Sequence, residues 1–220
     1  MKLYGYWRST AAYRVRIALH LKGIDFESIS VHLVKNGGEQ REDNYTAINP
    51  NQLVPTLIEG DFSLNQSLAI IDYLEATQPG LSLYPKGYPD DIQVRAKVQA
   101  LALDIACEIH PLNNLRVQQY LACDLGLGNE AKSAWVDHWM TIGFNAIEKQ
   151  LVQTAGCYCF KDQITVADIC LVAQVYNANR FNVDMSGYPY INRVVDNCNK
   201  LEAFQLALPE NQADADELTK

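Results

Sequence analysis

The chain has 220 residues, 48% of them hydrophobic and 20% charged, with a formal net charge of −8. This is enough apolar content for one large domain or two small ones, while no apolar run approaches the roughly 18 residues of a membrane-spanning helix. An acidic balance in both halves argues against nucleic acid as a partner, because such binding rests on a basic surface.

Met1-Lys2 leads directly into strand pattern without a signal or transit segment, which predicts a cytoplasmic protein. Lys2 to Tyr6 reads as a short strand, Trp7-Arg8 as a turn, and a helix begins at Ser9 or Thr10. Val15, Ala18 and Leu19 then fall at i, i+3 and i+4, the spacing of a buried helical face. The hydroxyls of Ser9 and Thr10 lie where a helix exposes unpaired N–H groups and the positive end of its dipole. Ser9 can be read as an ordinary cap, or as a residue that stabilises a thiolate or other anion.

Lys22-Gly23 is a helix stop, and Phe26 to Leu33 has strand composition, which makes residues 2–33 a βαβ unit. Glu39 to Tyr45 suggests a short irregular helix. Pro55 opens a strand, where a missing N–H is tolerated and the X-Pro bond can be cis. Thr56 to Ile58 and Phe62 to Leu64 form a hairpin, and Gln66-Ser67 leads into another helix. The order β-α-β then β-β-α is thioredoxin-like and occupies residues 1–82. Pro and Gly clustered over 78–88 mark a linker.

From 88 to 220 the pattern is all-helical. A long helix is expected over Asp90 to Leu121, with Pro111 as a bend, and another over Glu130 to Thr154. Thr165 and Asp168 are spaced as a capping box. Tyr190 to Asn199 and Leu201 to Leu206 are shorter helices, and Pro209 to Lys220 reads as a loose acidic tail. Cys107, Cys123, Cys157, Cys159, Cys170 and Cys198 all lie in the second half. Their spacing matches neither a redox pair nor a zinc site, so mostly buried free thiols and no metal are expected.

Val54-Pro55 before a strand and Gln66-Ser67 before a helix, in a thioredoxin-like half followed by a helical half, resemble the cytosolic glutathione transferases. Tyr6-Trp7-Arg8-Ser9-Thr10-Ala11-Ala12-Tyr13-Arg14-Val15-Arg16 narrows the resemblance to the zeta class, known as maleylacetoacetate isomerases. Asn49-Pro50, Asp168-Ile169-Cys170 and Asn177-Ala178-Asn179-Arg180-Phe181 extend it from Lys2 to about Pro209. Ala11 stands where that family usually carries a cysteine, so no protein thiol can assist there.

The resemblance implies an α/β thioredoxin-like glutathione-binding domain, an all-α glutathione-transferase C-terminal domain, and a homodimer. It also implies cis–trans isomerisation of maleylacetoacetate in tyrosine and phenylalanine breakdown. That reaction needs temporary loss of double-bond character, which reversible addition of the glutathione thiolate supplies. Ser9 would stabilise the thiolate with Thr10 behind it. Gln66 and Ser67 would take the γ-glutamyl end, the Val54 backbone the cysteinyl amide, and Gln40 the glycyl end. His110 and Asn114 would be further wall contacts, although a His before Pro is also an ordinary packed residue. An acidic diketo-acid substrate needs cations, and Arg8, Arg116 and Arg180 are the candidates, each with a surface ion pair as its bland alternative. Arg14 and Arg16 read as structural. Rival functions are maleylpyruvate isomerisation in gentisate breakdown, general glutathione transfer or α-haloacid dehalogenation, and a non-enzymatic interaction module.

Overall fold

The computed structural model describes residues 1–85 and 92–215. They form two compact units: Met1–Leu83 joined by the described residues from Lys200 on, and Tyr84–Asn199.

The first unit contains β1 (Lys2–Gly5), α1 (Thr10–Leu21), β2 (Glu27–Ser30), α2 (Asp43–Thr46), β3 (Thr56–Glu59), β4 (Phe62–Asn65) and α3 (Ser67–Thr77). Its sheet runs β2-β1-β3-β4, with β1 parallel to β2 and antiparallel to β3, and β3 antiparallel to β4. The register sets Leu3 opposite Leu57. Both join Val15, Leu19, Ile70 and Leu74 in a closed apolar cluster between the sheet and the two longer helices. Alternation along the strands and helical spacing along α1 and α3 bring these side chains to one layer. α1 stops where the Lys22 N–H donates to the Ala18 carbonyl, the Gly23 N–H to that of His20 and the Ile24 N–H to that of Leu19. Gly23 then takes φ +65°, a left-handed conformation that glycine adopts without steric cost.

The second unit is helical: α4 (Ile92–Leu103), α5 (Leu115–Gln119), α6 (Asn129–Thr154), α7 (Val166–Arg180) and α8 (Pro189–Asn199). From Val166 to Val175 every residue of α7 is buried, as expected for a helix at the centre of a bundle. Its start is the expected capping box: Asp168 accepts from the Thr165 N–H and hydroxyl at 2.8 Å each, and from the Cys159 N–H at 2.7 Å. The Glu148 carboxylate of α6 likewise receives the first N–H groups of α8, from Tyr190 and Ile191.

Four expectations are corrected. The long helix over Asp90 to Leu121 is broken. After α4 come a π-helical stretch (Asp104–Ile109), a 3-10 turn (His110–Asn113), α5, and a second π stretch (Tyr120–Asp124). Pro111 has no N–H to give and its ring crowds the preceding turn. Asn114 turns extended, at φ −67° and ψ 150°, to cap a new helix. Asp90 and Asp91 lie outside the described residues. The tail is not loose over 209–215: after α9 (Glu202–Ala207) comes a 3-10 turn (Pro209–Asn211), and Pro209 and Ala215 are buried. Residues 200–215 also group with the first unit rather than with the helices expected over 88–220. The thiols divide evenly rather than being mostly buried, with Cys107, Cys123 and Cys157 exposed and Cys159, Cys170 and Cys198 buried.

Candidate active site

Ser9 sits at the junction of β1 and α1. The peptide there is extended (φ −71°, ψ 116°), which makes Ser9 the N-cap, and its Oγ accepts from the Ala12 N–H at 3.2 Å. The capping reading is therefore correct as geometry. It leaves the hydroxyl proton available, because a serine oxygen accepts and donates independently. Ser9 is half-buried and Thr10 buried, so both hydroxyls lie near the helix dipole with reduced solvent screening.

The neighbouring elements fix the rest of this surface. Arg14, on the buried side of α1, donates from Nη1 to Ser67 Oγ at 3.4 Å, linking α1 to the start of α3. Gln66, just before α3, is exposed and adopts φ +70° and ψ 116°. A non-glycine residue there stores on the order of 1–3 kcal/mol of strain, and such residues cluster at ligand clamps. Gln66 makes no side-chain cap on α3, so no Gln66 oxygen receives the first N–H groups of that helix, which suit an anion. The Val54-Pro55 bond is cis. Before it, the Leu53 carbonyl accepts from Tyr45 OH at 2.7 Å and from Asn49 Nδ2 at 2.8 Å, which anchors the approach to Val54. Burial pushes the Tyr45 phenol pKa up and keeps it a donor. Gln40 is buried, and its Oε1 has no hydrogen-bond partner. A Cβ on Gly38 would come within 2.5 Å of Gln40 Nε2.

Glutathione brings two carboxylates, an amine, two amides and a thiol. The first unit offers a serine hydroxyl at one helix N-terminus, a strained Gln66 beside Ser67 at another, a Val54 backbone anchored through Leu53 and a buried amide with a spare acceptor. This donor and acceptor set fits that ligand. Arg8 adds a cation, its guanidinium 5.1 Å from the Trp7 ring centroid.

The remaining predicted residues belong to the second unit. His110, half-buried, opens the 3-10 turn before Pro111. Asn114 caps α5, its Oδ1 accepting from the Arg116 N–H at 3.0 Å, which leaves its amide N–H groups for another partner. Arg116 is exposed, as is Arg180, whose guanidinium lies 4.7 Å from the Phe181 centroid. Two asparagines without an assigned role draw this group together. Asn177 Nδ2 donates to Asn113 Oδ1 at 2.7 Å, and Asn113 Nδ2 donates to the Ile109 carbonyl at 2.7 Å. The turn carrying His110 is thereby pinned to the helix that ends in Arg180. Asn177 opens the Asn177-Ala178-Asn179-Arg180-Phe181 motif, but nothing in its spacing points to Asn113. Arg16 and Asp214 were also missed as neighbours of the Ser9 turn.

The family model described as "Glutathione S-transferase, N-terminal domain" matches residues 3–82. A probable maleylacetoacetate isomerase from Vibrio cholerae serotype O1 is 51% identical over 213 residues, spanning 97% of this chain and 97% of its own. A solved holo structure of a maleyl pyruvate isomerase, described as a bacterial zeta-class glutathione transferase, is 43% identical. It superposes with a TM-score of 0.93 over 98% of this chain and 100% of its own. A maleylacetoacetate isomerase from Methylobacterium extorquens AM1, solved with bound malonate and GSH, is 37% identical, with a TM-score of 0.92 over the same shares.

Proposed function

This chain belongs to the zeta-class glutathione transferases, and from that premise we propose that it is a glutathione-dependent cis–trans isomerase of maleylacetoacetate. The observation that carries the reading is Ser9: its oxygen accepts from the Ala12 N–H at the start of α1, and its proton is left to give. When bound, glutathione supplies a thiolate that adds reversibly to the conjugated carbon–carbon double bond. A free thiol near pKa 8.5 is only a few per cent ionised at neutral pH. Ser9 shifts that balance by donating to the sulfur, and Thr10 and the α1 dipole support it. A hydrogen bond to a charged acceptor contributes about 1.5–3 kcal/mol, or about one to two decades of ionisation.

Gln66, Ser67 and the open first turn of α3 hold the γ-glutamyl end. The Val54 backbone pairs with the cysteinyl amide, and Gln40 takes the glycyl end. His110 and Asn114 contribute further contacts. Arg8, Arg116 and Arg180 grip the substrate's carboxylates, which a chain of net charge −8 would otherwise repel. The pathway we assign is tyrosine and phenylalanine breakdown, in the cytoplasm, and transferase or dehalogenase side activities share the site.

A second reading, maleylpyruvate isomerisation, is supported by the close superposition on a maleyl pyruvate isomerase and by Arg116 and His110, Arg116 resembling an arginine of the maleylpyruvate isomerases. Turnover of both diketo acids with glutathione, measured side by side, decides between them. We expect the higher kcat/KM on maleylacetoacetate. The opposite preference selects the second reading, and turnover of neither removes both. We also propose a homodimer, which sedimentation would show as one species of about twice the 24.7 kDa chain. A single monomeric species at micromolar concentration contradicts that.

A further inference from the structure

We propose that the C-terminal segment is the positioning device for the turn that presents Ser9, and that Asp214 is its positioning residue. The turn is built from Tyr6 to Ser9, closed by the Ser9 N–H donating to the Tyr6 carbonyl at 3.0 Å. Its central peptide groups are held on one side by a residue 207 positions further along and on the other by Arg16 of α1. The Trp7 N–H donates to Asp214 Oδ2 at 3.1 Å. On the other side, the buried Arg16 donates from Nη2 to the Trp7 carbonyl at 2.9 Å, from Nη1 to the Tyr6 carbonyl at 3.5 Å, and from Nε to the Ala207 carbonyl at 3.1 Å.

A guanidinium is planar, so its donors fix the spacing between the carbonyls they reach. Asp214 directly, and Ala207 through Arg16, therefore hold Trp7 by its N–H and its C=O together. Asp214 is itself aimed, because Ser30 Oγ, at the end of β2, donates to the same carboxylate oxygen at 2.8 Å. Ala215, next in sequence, is buried in one apolar cluster with Tyr6, Trp7, Val31, Tyr45 and Val54. The segment thus touches the supports of two glutathione contacts, Ser9 and Val54. A donor only improves thiolate ionisation if it is held at the sulfur's position before the ligand arrives. Loosening the Trp7 peptide removes that preorganisation two residues upstream of Ser9.

This inference rests on Ser9 as the donor to the thiolate, and the test separates the two. In the full-length protein, the pKa of bound glutathione is read from thiolate ultraviolet absorbance against pH, alongside kcat and KM and with circular dichroism to verify the fold. For Asp214→Ala we expect a raised thiol pKa and a KM for glutathione up by about threefold to tenfold, the loss of one charge-assisted hydrogen bond acting at second hand. Asp214→Asn keeps an oxygen to accept from the Trp7 N–H and should recover most of this. Ser30→Ala should shift the pKa less, in the same direction. A wild-type thiol pKa in Asp214→Ala, with a raised one in Ser9→Ala, overturns the positioning role and leaves Ser9 standing. An unchanged thiol pKa in Ser9→Ala overturns both. Asp214→Asn as impaired as Asp214→Ala would make charge the agent and would also overturn the assignment. If Asp214→Ala fails to fold, Ser30→Ala decides, and a wild-type thiol pKa there sinks the idea.

Discussion

A serine oxygen carries two lone pairs and one proton, so the Ala12 N–H that Ser9 receives uses only part of its capacity. Capping and thiolate stabilisation, which look like rivals in the sequence, are compatible in one side chain. Ser9→Ala should lower kcat/KM by about one to two decades, the value of a hydrogen bond to a charged acceptor, without unfolding the chain. Thr10→Ala should do less, because Thr10 is buried beside Ser9 and is given a supporting role. Steady-state kinetics on both variants test this, and wild-type turnover in Ser9→Ala with a loss in Thr10→Ala would reverse the roles. The arginines allow a second test. Arg8→Ala, Arg116→Ala and Arg180→Ala should each cost about 2–4 kcal/mol on a maleyl diketo acid and far less on a neutral haloarene. Lysine should restore only part, because it lacks the planar fork. Equal losses on both substrates would mean that these residues serve glutathione or the fold.

Among the elements, the start of α3 carries backbone strain where the proposed function places the γ-glutamyl end of glutathione. Gln66 at φ +70° is a position that glycine would occupy more cheaply. Gln66→Gly should raise the thermal midpoint by about 2–4 °C per kcal/mol of strain released while weakening glutathione binding. Calorimetry of unfolding and of ligand binding on one sample checks both, and a variant with unchanged affinity would remove Gln66 from the site. The elements also show where sequence reading succeeds. The start of α1, the hairpin and the Thr165–Asp168 box were legible because each depends on residues within about four positions, and local spacing reports local geometry. The breaks between α4 and α6 were only half legible: Pro111 marked a bend, but nothing marked the π turns on either side. Asn113 with Asn177, and Trp7 with Asp214, are polar contacts between distant segments, and no periodicity records them.

For the whole molecule, the thiols give a prediction free of the proposed mechanism. Burial pushes the Cys159 and Cys198 thiols up, with the Asp168 carboxylate adding to the shift, so neither offers a reactive thiolate. A disulfide reagent should label Cys107, Cys123 and Cys157 quickly in the native protein, and the other three only after denaturation. Activity with fresh glutathione should survive that labelling, because Ala11 replaces the family's cysteine and no cysteine lies in the first 106 residues. Inactivation with unchanged circular dichroism would reveal a thiol role absent from the proposed mechanism. The return of residues 200–215 to the first unit has a consequence for synthesis. Domains commonly fold as they emerge, N-terminal first. Here the sheet and helices α1 to α3 are complete by Thr77, yet the Trp7 N–H has no Asp214, and Arg16 has no Ala207 carbonyl, until those residues have been made. A nascent chain that stops short of Ala207 therefore carries the Ser9 turn without its clamp, and under the proposed function its competence for glutathione waits on residues 207–214.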